Sequence, residues 1–144
     1  MTSALVAFAA DHAGYDLKQA LIREFEATGG TAIDLGTHSA DSVDYPDMAD
    51  VLARCMADGR TDRGVIVCGT GIGIAIAANR HRHVRAAVCH DVTSARLTRL
   101  HNDANVLALG ARLVGSEVAK DCLRVFLETE FEGGRHARRV AKLG

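Results

Sequence analysis

An α/β fold, with a five-stranded parallel sheet covered by helices on both faces, is what this sequence predicts. Three observations carry it. Short apolar runs and amphipathic stretches alternate five times along the chain. The run Val65-Ile66-Val67 is β-branched throughout, as suits a strand buried on both faces. It passes directly into Cys68-Gly69-Thr70-Gly71-Ile72-Gly73, a glycine-rich turn into a small-residue stretch that reads as a helix start.

The elements follow in order. Leu5 to Ala9 reads as the first strand, and Tyr15 to Thr28 as an amphipathic helix ended by Gly29-Gly30. Thr31 to Leu35 is a short second strand. A polar segment from Gly36 to Tyr45 leads to Pro46, which suits the first turn of a helix reaching Asp58, with Gly59 beyond it. The Cys68 strand is third, with a short helix from Ile72 to Asn79. Arg85 to Cys89 is the fourth strand, and its helix covers about Val92 to Leu100. Val106 to Leu109 is the fifth strand, and Ser116 can cap a helix running to about Glu130. Gly133-Gly134 then break the chain before a basic segment. No repeat, low-complexity tract or linker stands out, so residues 1–144 are expected to form one domain with a basic tail over 131–144.

Composition excludes several classes of function. Apolar residues are 48% and charged ones 24%, as in ordinary globular domains. A net charge of −1 gives no general attraction to nucleic acid or membranes. No apolar run approaches the ~20 residues that span a bilayer. Met1-Thr2-Ser3-Ala4-Leu5 lacks a basic n-region, which argues against a signal peptide and for a cytoplasmic location. The four cysteines have neither Cys-x-x-Cys nor metal-finger spacing. Cys55 and Cys122 lie on apolar helical stripes and read as core thiols, and Cys89 is ambiguous. Cys68 alone has surroundings that suit chemistry, since a helix N-terminus and nearby N–H groups stabilise a thiolate.

In an open α/β sheet the C-terminal strand ends share one edge, where ligands bind. Read in turn, those ends supply Asp11-His12-Ala13-Gly14, Gly36-Thr37-His38, Cys68-Gly69-Thr70-Gly71, His90-Asp91 and Gly110-Ala111-Arg112. Acid, base, thiol and cation thus converge on one rim. Singly, each has a plain alternative: Asp11 as a helix cap, His12 as a surface residue, Gly-x-Gly-x-Gly as a tight turn. The glycines follow strand three and lack the dinucleotide spacing, so an NAD site is not expected. Leu100-His101-Asn102-Asp103-Ala104-Asn105 closes the fourth helix and by itself reads as a polar cap. Arg135 and Arg139 are four apart and share a face if that segment is helical, which suits phosphate oxygens. A cysteine phosphatase would place an arginine inside the loop, and residues 69–73 contain none. The arginines come from distant segments, which implies a phosphate held away from the thiol.

The joined motifs Asp11-His12-Ala13-Gly14, Asp44-Tyr45-Pro46, Cys68-Gly69-Thr70-Gly71-Ile72-Gly73, His101-Asn102-Asp103-Ala104-Asn105-Val106 and Glu132-Gly133-Gly134-Arg135-His136 run along nearly the whole chain. Together they closely resemble the ribose-5-phosphate isomerase B family of sugar-phosphate isomerases, which includes the galactose-6-phosphate isomerase subunits. The resemblance implies a Rossmann-like α/β/α sandwich and a cofactor-free, metal-free aldose–ketose isomerisation through a cis-enediolate. Hexose 6-phosphates and tetrose 4-phosphates are the alternative substrates to ribose 5-phosphate, and a non-catalytic sugar-phosphate- or nucleotide-binding module is the rival from another class. The resemblance implies Cys68 as the proton-transferring base, with Thr70 and the N–H groups of Gly69, Gly71, Ile72 and Gly73 around the reacting oxygens. His101, helped by Asp11, would open the sugar ring. His12, Arg112, Arg135 and Arg139 would hold the phosphate, and Tyr45 and Asn102 the sugar. One subgroup of the family uses a glutamate just after the glycine loop; Ile74 stands there and cannot accept a proton, so the task falls to Cys68. The expected partners are a small sugar phosphate and a second copy of the chain, in a homodimer with shared active sites. A tetramer is left open, and neither nucleic acid nor membrane is expected.

Overall fold

The computed structural model describes residues 5–144, and the signal-peptide reading of the first four residues lies outside them. Five strands, β1 (Leu5–Ala10), β2 (Thr31–Asp34), β3 (Gly64–Cys68), β4 (Ala86–Val88) and β5 (Val106–Gly110), pair in the order β2-β1-β3-β5-β4, all parallel. Six α-helices connect or follow them: α1 (Tyr15–Ala27), α2 (Tyr45–Ala57), α3 (Ile72–Ala78), α4 (Val92–Asn102), α5 (Ser116–Glu128) and α6 (Arg135–Ala141). No helix among the described residues is long and apolar enough to cross a membrane.

Strand side chains alternate between two cores. Val6, Phe8, Val65, Val67, Leu107 and Leu109 face one side and pack with Leu21, Phe25, Ala95, Cys122 and Phe126 of α1, α4 and α5. Ala7, Ala9, Ile66, Cys68, Val106 and Ala108 face the other, under α2 and α3. Alanines recur on this second side (Ala49, Ala53, Ala75, Ala78), and their small side chains let α2 and α3 lie close to the sheet and each other. The strand reversal falls between β1 and β3, since β2 lies on one side of β1 and β3 on the other. A crevice therefore opens outside the ends of those two strands, where Asp11 and Cys68 stand.

The sequence places most boundaries within two residues. Two differences matter. Ser116 is the first residue of α5 rather than its cap; Gly115 takes that position, with no side-chain bond. α4 continues through His101 and Asn102, so both sit in its last turn rather than beyond it. Asp103 ends α4 in the left-handed region, at φ 46°. Its carboxylate accepts hydrogen bonds from Arg99 Nη1 at 2.8 Å and from Arg85 Nη2 at 3.4 Å. Arg99 is buried, and its Nη1 and Nε donate to the carbonyls of Ala104 (2.7 Å) and Thr129 (3.0 Å). Asn105 links the same turn to β4, accepting from the Arg85 N–H at 2.7 Å and donating to the His83 carbonyl at 2.9 Å. Two residues of the long motif around His101 thus have structural work, which is to fix the end of α4.

Removing Arg99 would strand the buried oxygens it serves. Arg99→Met should lower the unfolding free energy in urea by about 3–5 kcal/mol, the usual cost of deleting one partner of a buried ionic network. A loss below about 1 kcal/mol, as for an exposed pair, would show that this turn does not depend on Arg99.

Candidate active site

The glycine loop takes its shape from close backbone contacts. Gly71 has φ 76°, and a Cβ there would stand 2.8 Å from the Leu109 carbonyl carbon. At Gly110 a Cβ would stand 2.6 Å from the Thr70 backbone. The loop thus lies directly on the end of β5, tied by the Ala111 N–H to the Cys68 carbonyl and the Arg112 N–H to the Gly69 carbonyl, both 2.9 Å. Cys68 is 4% exposed, and its Sγ accepts a hydrogen bond from the Gly71 N–H at 3.2 Å. Such a bond strengthens when the sulfur carries charge. Thr70 Oγ1 accepts from the Ile72 N–H at 3.2 Å. In the first turn of α3, Gly73 and Ile74 have N–H groups with no intrahelical acceptor.

Around the thiol lies a cavity of about 400 Å³ lined by Asp11, His12, Tyr45, Cys68, Gly69, Thr70, Ile72, Gly73 and Arg112, among others. Asp11 is buried and does cap the turn before α1: its Oδ1 accepts from the Gly14 N–H at 3.1 Å. The capping reading and the cavity position therefore coexist. His12 Nδ1 lies 3.2 Å from the Val43 nitrogen and 3.3 Å from its oxygen, so one backbone unit fixes the ring. Tyr45 rests on Gly73, where a Cβ would come within 2.7 Å of its ring. Arg112 lies nearer the loop than the sequence suggests, since a Cβ on Gly69 would stand 3.3 Å from its Nη1.

His101, Asn102 and Arg139 are brought together elsewhere. They line a separate cavity of about 270 Å³ with His136, Val140 and Leu143. Topology dictates the separation. α4 leaves the C-terminal end of β4 and returns to the start of β5, a run of 11 residues or about 16 Å at helical rise. Its last turn is therefore at the edge opposite Cys68. The tail is helical as α6, so Arg135 and Arg139 do share a helix, and it packs on α4 of its own chain. Arg135 lines neither cavity.

The other candidates resolve simply. His81 Nε2 lies 2.8 Å from Asp50 Oδ1 and His83 Nε2 2.8 Å from the Ala53 carbonyl, so both tie the β4 approach to α2. His90 Nε2 accepts from the Gly110 N–H at 3.1 Å. All four cysteines are free and buried. Burial pushes the Cys122 thiol up to about 11 and raises that of Cys89, which favours the protonated form of both. His136, which lines the second cavity, is not singled out by sequence reasoning. Its signal was its place between Arg135 and Arg139 in a motif already noted.

With this geometry in place, comparison with known proteins is direct. Residues 6–143 match the family model described as Ribose/Galactose Isomerase. The chain is 46% identical over 135 residues to ribose-5-phosphate isomerase B of Escherichia coli (strain K12), covering 94% of this chain and 91% of that protein. A structure of the Clostridium thermocellum ribose-5-phosphate isomerase B superposes with a TM-score of 0.95 at 48% identity, covering 97% and 95% of the two chains. The Mycoplasma genitalium enzyme of the same name, with ribulose-5-phosphate bound, superposes with a TM-score of 0.92 at 36% identity over 99% and 95%. With the model matched almost end to end, this chain belongs to the Ribose/Galactose Isomerase family.

Proposed function

We propose that this chain interconverts ribose 5-phosphate and ribulose 5-phosphate at a site completed by a second copy of itself. The observation that carries the reading is the buried Cys68 thiol, hydrogen-bonded to its own glycine loop and opening into a cavity with His12 and Arg112. In the open-chain aldose the proton at C2 is acidified by the C1 carbonyl. The Cys68 thiolate takes that proton, the C2–H electron pair becomes the C1–C2 double bond, and charge moves to O1. N–H groups of the loop and of the first turn of α3 stabilise that oxygen. The thiol then returns the proton to C1, and the O2 proton passes to O1 as the ketose carbonyl forms. C1 is reduced and C2 oxidised within the same molecule, so the step balances with no external oxidant or reductant.

Ring opening needs a proton taken from the O1 hydroxyl and one given to the ring oxygen. We assign these to His101 with Asp11, and the phosphate to His12, Arg112, Arg135 and Arg139. Tyr45 and Asn102 hold the sugar. His101, Asn102 and Arg139 line a different cavity of one chain from Asp11, His12, Tyr45 and Arg112, and Arg135 lines neither, so the assignment requires His101, Asn102 and the tail arginines of a partner to face Cys68. Ile72 and Ile76, each 52% exposed, flank the Cys68 loop along α3 and offer an apolar surface for that contact. The four free thiols accord with a reducing, cytoplasmic setting.

Purified protein should form ketose from ribose 5-phosphate without added metal or nicotinamide. A preference for a four- or six-carbon aldose phosphate would change the substrate but keep the chemistry. Release of inorganic phosphate, abolished in Cys68→Ser, would replace it with a phosphatase. Cys68→Ala should lower kcat by about 10²–10⁴-fold, the range of a general base, while phosphate affinity stays nearly constant. Loss of phosphate binding in that variant would contradict the role.

Subunit sharing is tested by mixing. A Cys68→Ala chain and an Arg135→Ala/Arg139→Ala chain are each expected to be inactive. After subunit exchange at equal amounts, half the dimers are heterodimers with one intact site in two, so about a quarter of the unmutated protein's activity should appear. No recovery despite proven exchange would place thiol and arginines in one chain's site.

A further inference from the structure

We propose that His136 is a positioning residue for His101: its buried ring is the platform on which the His101 imidazole lies. The two rings stack with centroids 4.5 Å apart and planes 20° from parallel. His101 is half-buried in the last turn of α4, whereas His136 is buried on α6. The platform is held independently of any ligand. The His136 N–H donates to the Gly133 carbonyl at 3.0 Å, and the Glu132 N–H donates to the Leu100 carbonyl at 3.2 Å, which joins the tail to α4 beside His101. His136 Nε2 is buried without a hydrogen-bond partner, and Glu132 Oε1 lies 3.6 Å from it.

The charged groups around the pair favour a neutral His136. Burial depresses its pKa, followed by the like charge of His101 and of Arg135, with Arg139 acting the same way and Glu132 alone opposing. A neutral aromatic face attracts a cation laid on it, so the platform suits an imidazole that gains a proton during ring opening. It also restricts the ring to one plane, and orientation of this kind affects rate more than ground-state binding. The ligand atoms of His101, Glu132 and His136 all lie within 4.8 Å of one another, so a divalent metal is the competing occupant to weigh. Near-parallel rings aim their lone pairs side by side rather than at one point, and Arg135 and Arg139 on the same helix oppose a dication.

The inference rests on His101 acting in ring opening, and the test separates the two claims. His136→Phe keeps a flat ring without nitrogens, while His136→Leu fills similar space without one. On ribose 5-phosphate, His136→Leu should lower kcat about 10-fold with KM within twofold of the parent. His136→Phe should recover most of that loss. The His101 ring-proton resonance, identified by its absence in His101→Asn, should move in the Leu variant and stay near its parental position in the Phe variant. Equal kcat in the Leu and Phe variants would overturn the proposal. So would a rise in KM at constant kcat, which marks a phosphate ligand, or activity lost to a chelator and restored by Zn²⁺. A slow His101→Asn beside a fully active His136→Leu would defeat the platform alone. A fully active His101→Asn would defeat the ring-opening role itself, and the platform's catalytic value with it.

Discussion

A helix that joins two parallel strands must run back along the sheet, and here that constraint governs everything about the site. Cys68 ends β3 at one edge. α4 starts at that edge and carries His101 and Asn102 to the other. No adjustment of side chains within one chain closes a gap of that kind, because it is set by helix rise and strand length. The fold therefore presents two partial constellations, one with thiol, acid and glycine loop, the other with imidazole, amide and arginine. Pairing of two chains is the economical way to make one complete site from them.

Each half is rigid for its own reason. The thiol half is set by backbone lying on backbone, where Gly71 and Gly110 admit no side chain. The imidazole half is set by buried polar groups: Arg99 and Arg85 grip Asp103, and Asn105 pins β4. In the shared site proposed above, rigid halves matter because the two must be in register before substrate arrives, and ordering costs would otherwise weaken binding. The tail meets the same need, since α6 is already packed on α4 in the single chain.

Much of this was legible in the sequence, for identifiable physical reasons. Strands buried on both faces leave continuous apolar runs, and the glycines after Cys68 could be read as close approach. The rim of strand-end residues followed from parallel topology, and the cavity takes Asp11, His12, Cys68 and Arg112 from three of the five strand ends, while His38, His90 and Asp91 do not line it. His101 and Arg139 belong to no single-chain rim; the spacing of Arg135 and Arg139 pointed to a phosphate, whereas only the family resemblance marked His101. What was not legible were buried polar residues on helices. Lys18 is fully buried, with Nζ 2.6 Å from Asp34 Oδ1, and Arg99 sits at the heart of a turn; both lie on the buried face of their helices, Lys18 with Leu21, Ile22 and Phe25 and Arg99 with Ala95, but a charged residue there does not read as core. His136 was hidden in the same way, because a histidine between arginines reads as part of a basic surface.

The central claim is that thiol and imidazole from different chains act on one sugar. A crystal structure of the assembled protein with ribulose 5-phosphate bound tests it most directly. The account predicts C1 and C2 of the sugar against Cys68 Sγ of one chain, with His101 and Arg139 of its partner closing the same cavity. A ligand enclosed by one chain, with every copy of His101 remote from it, would contradict the account.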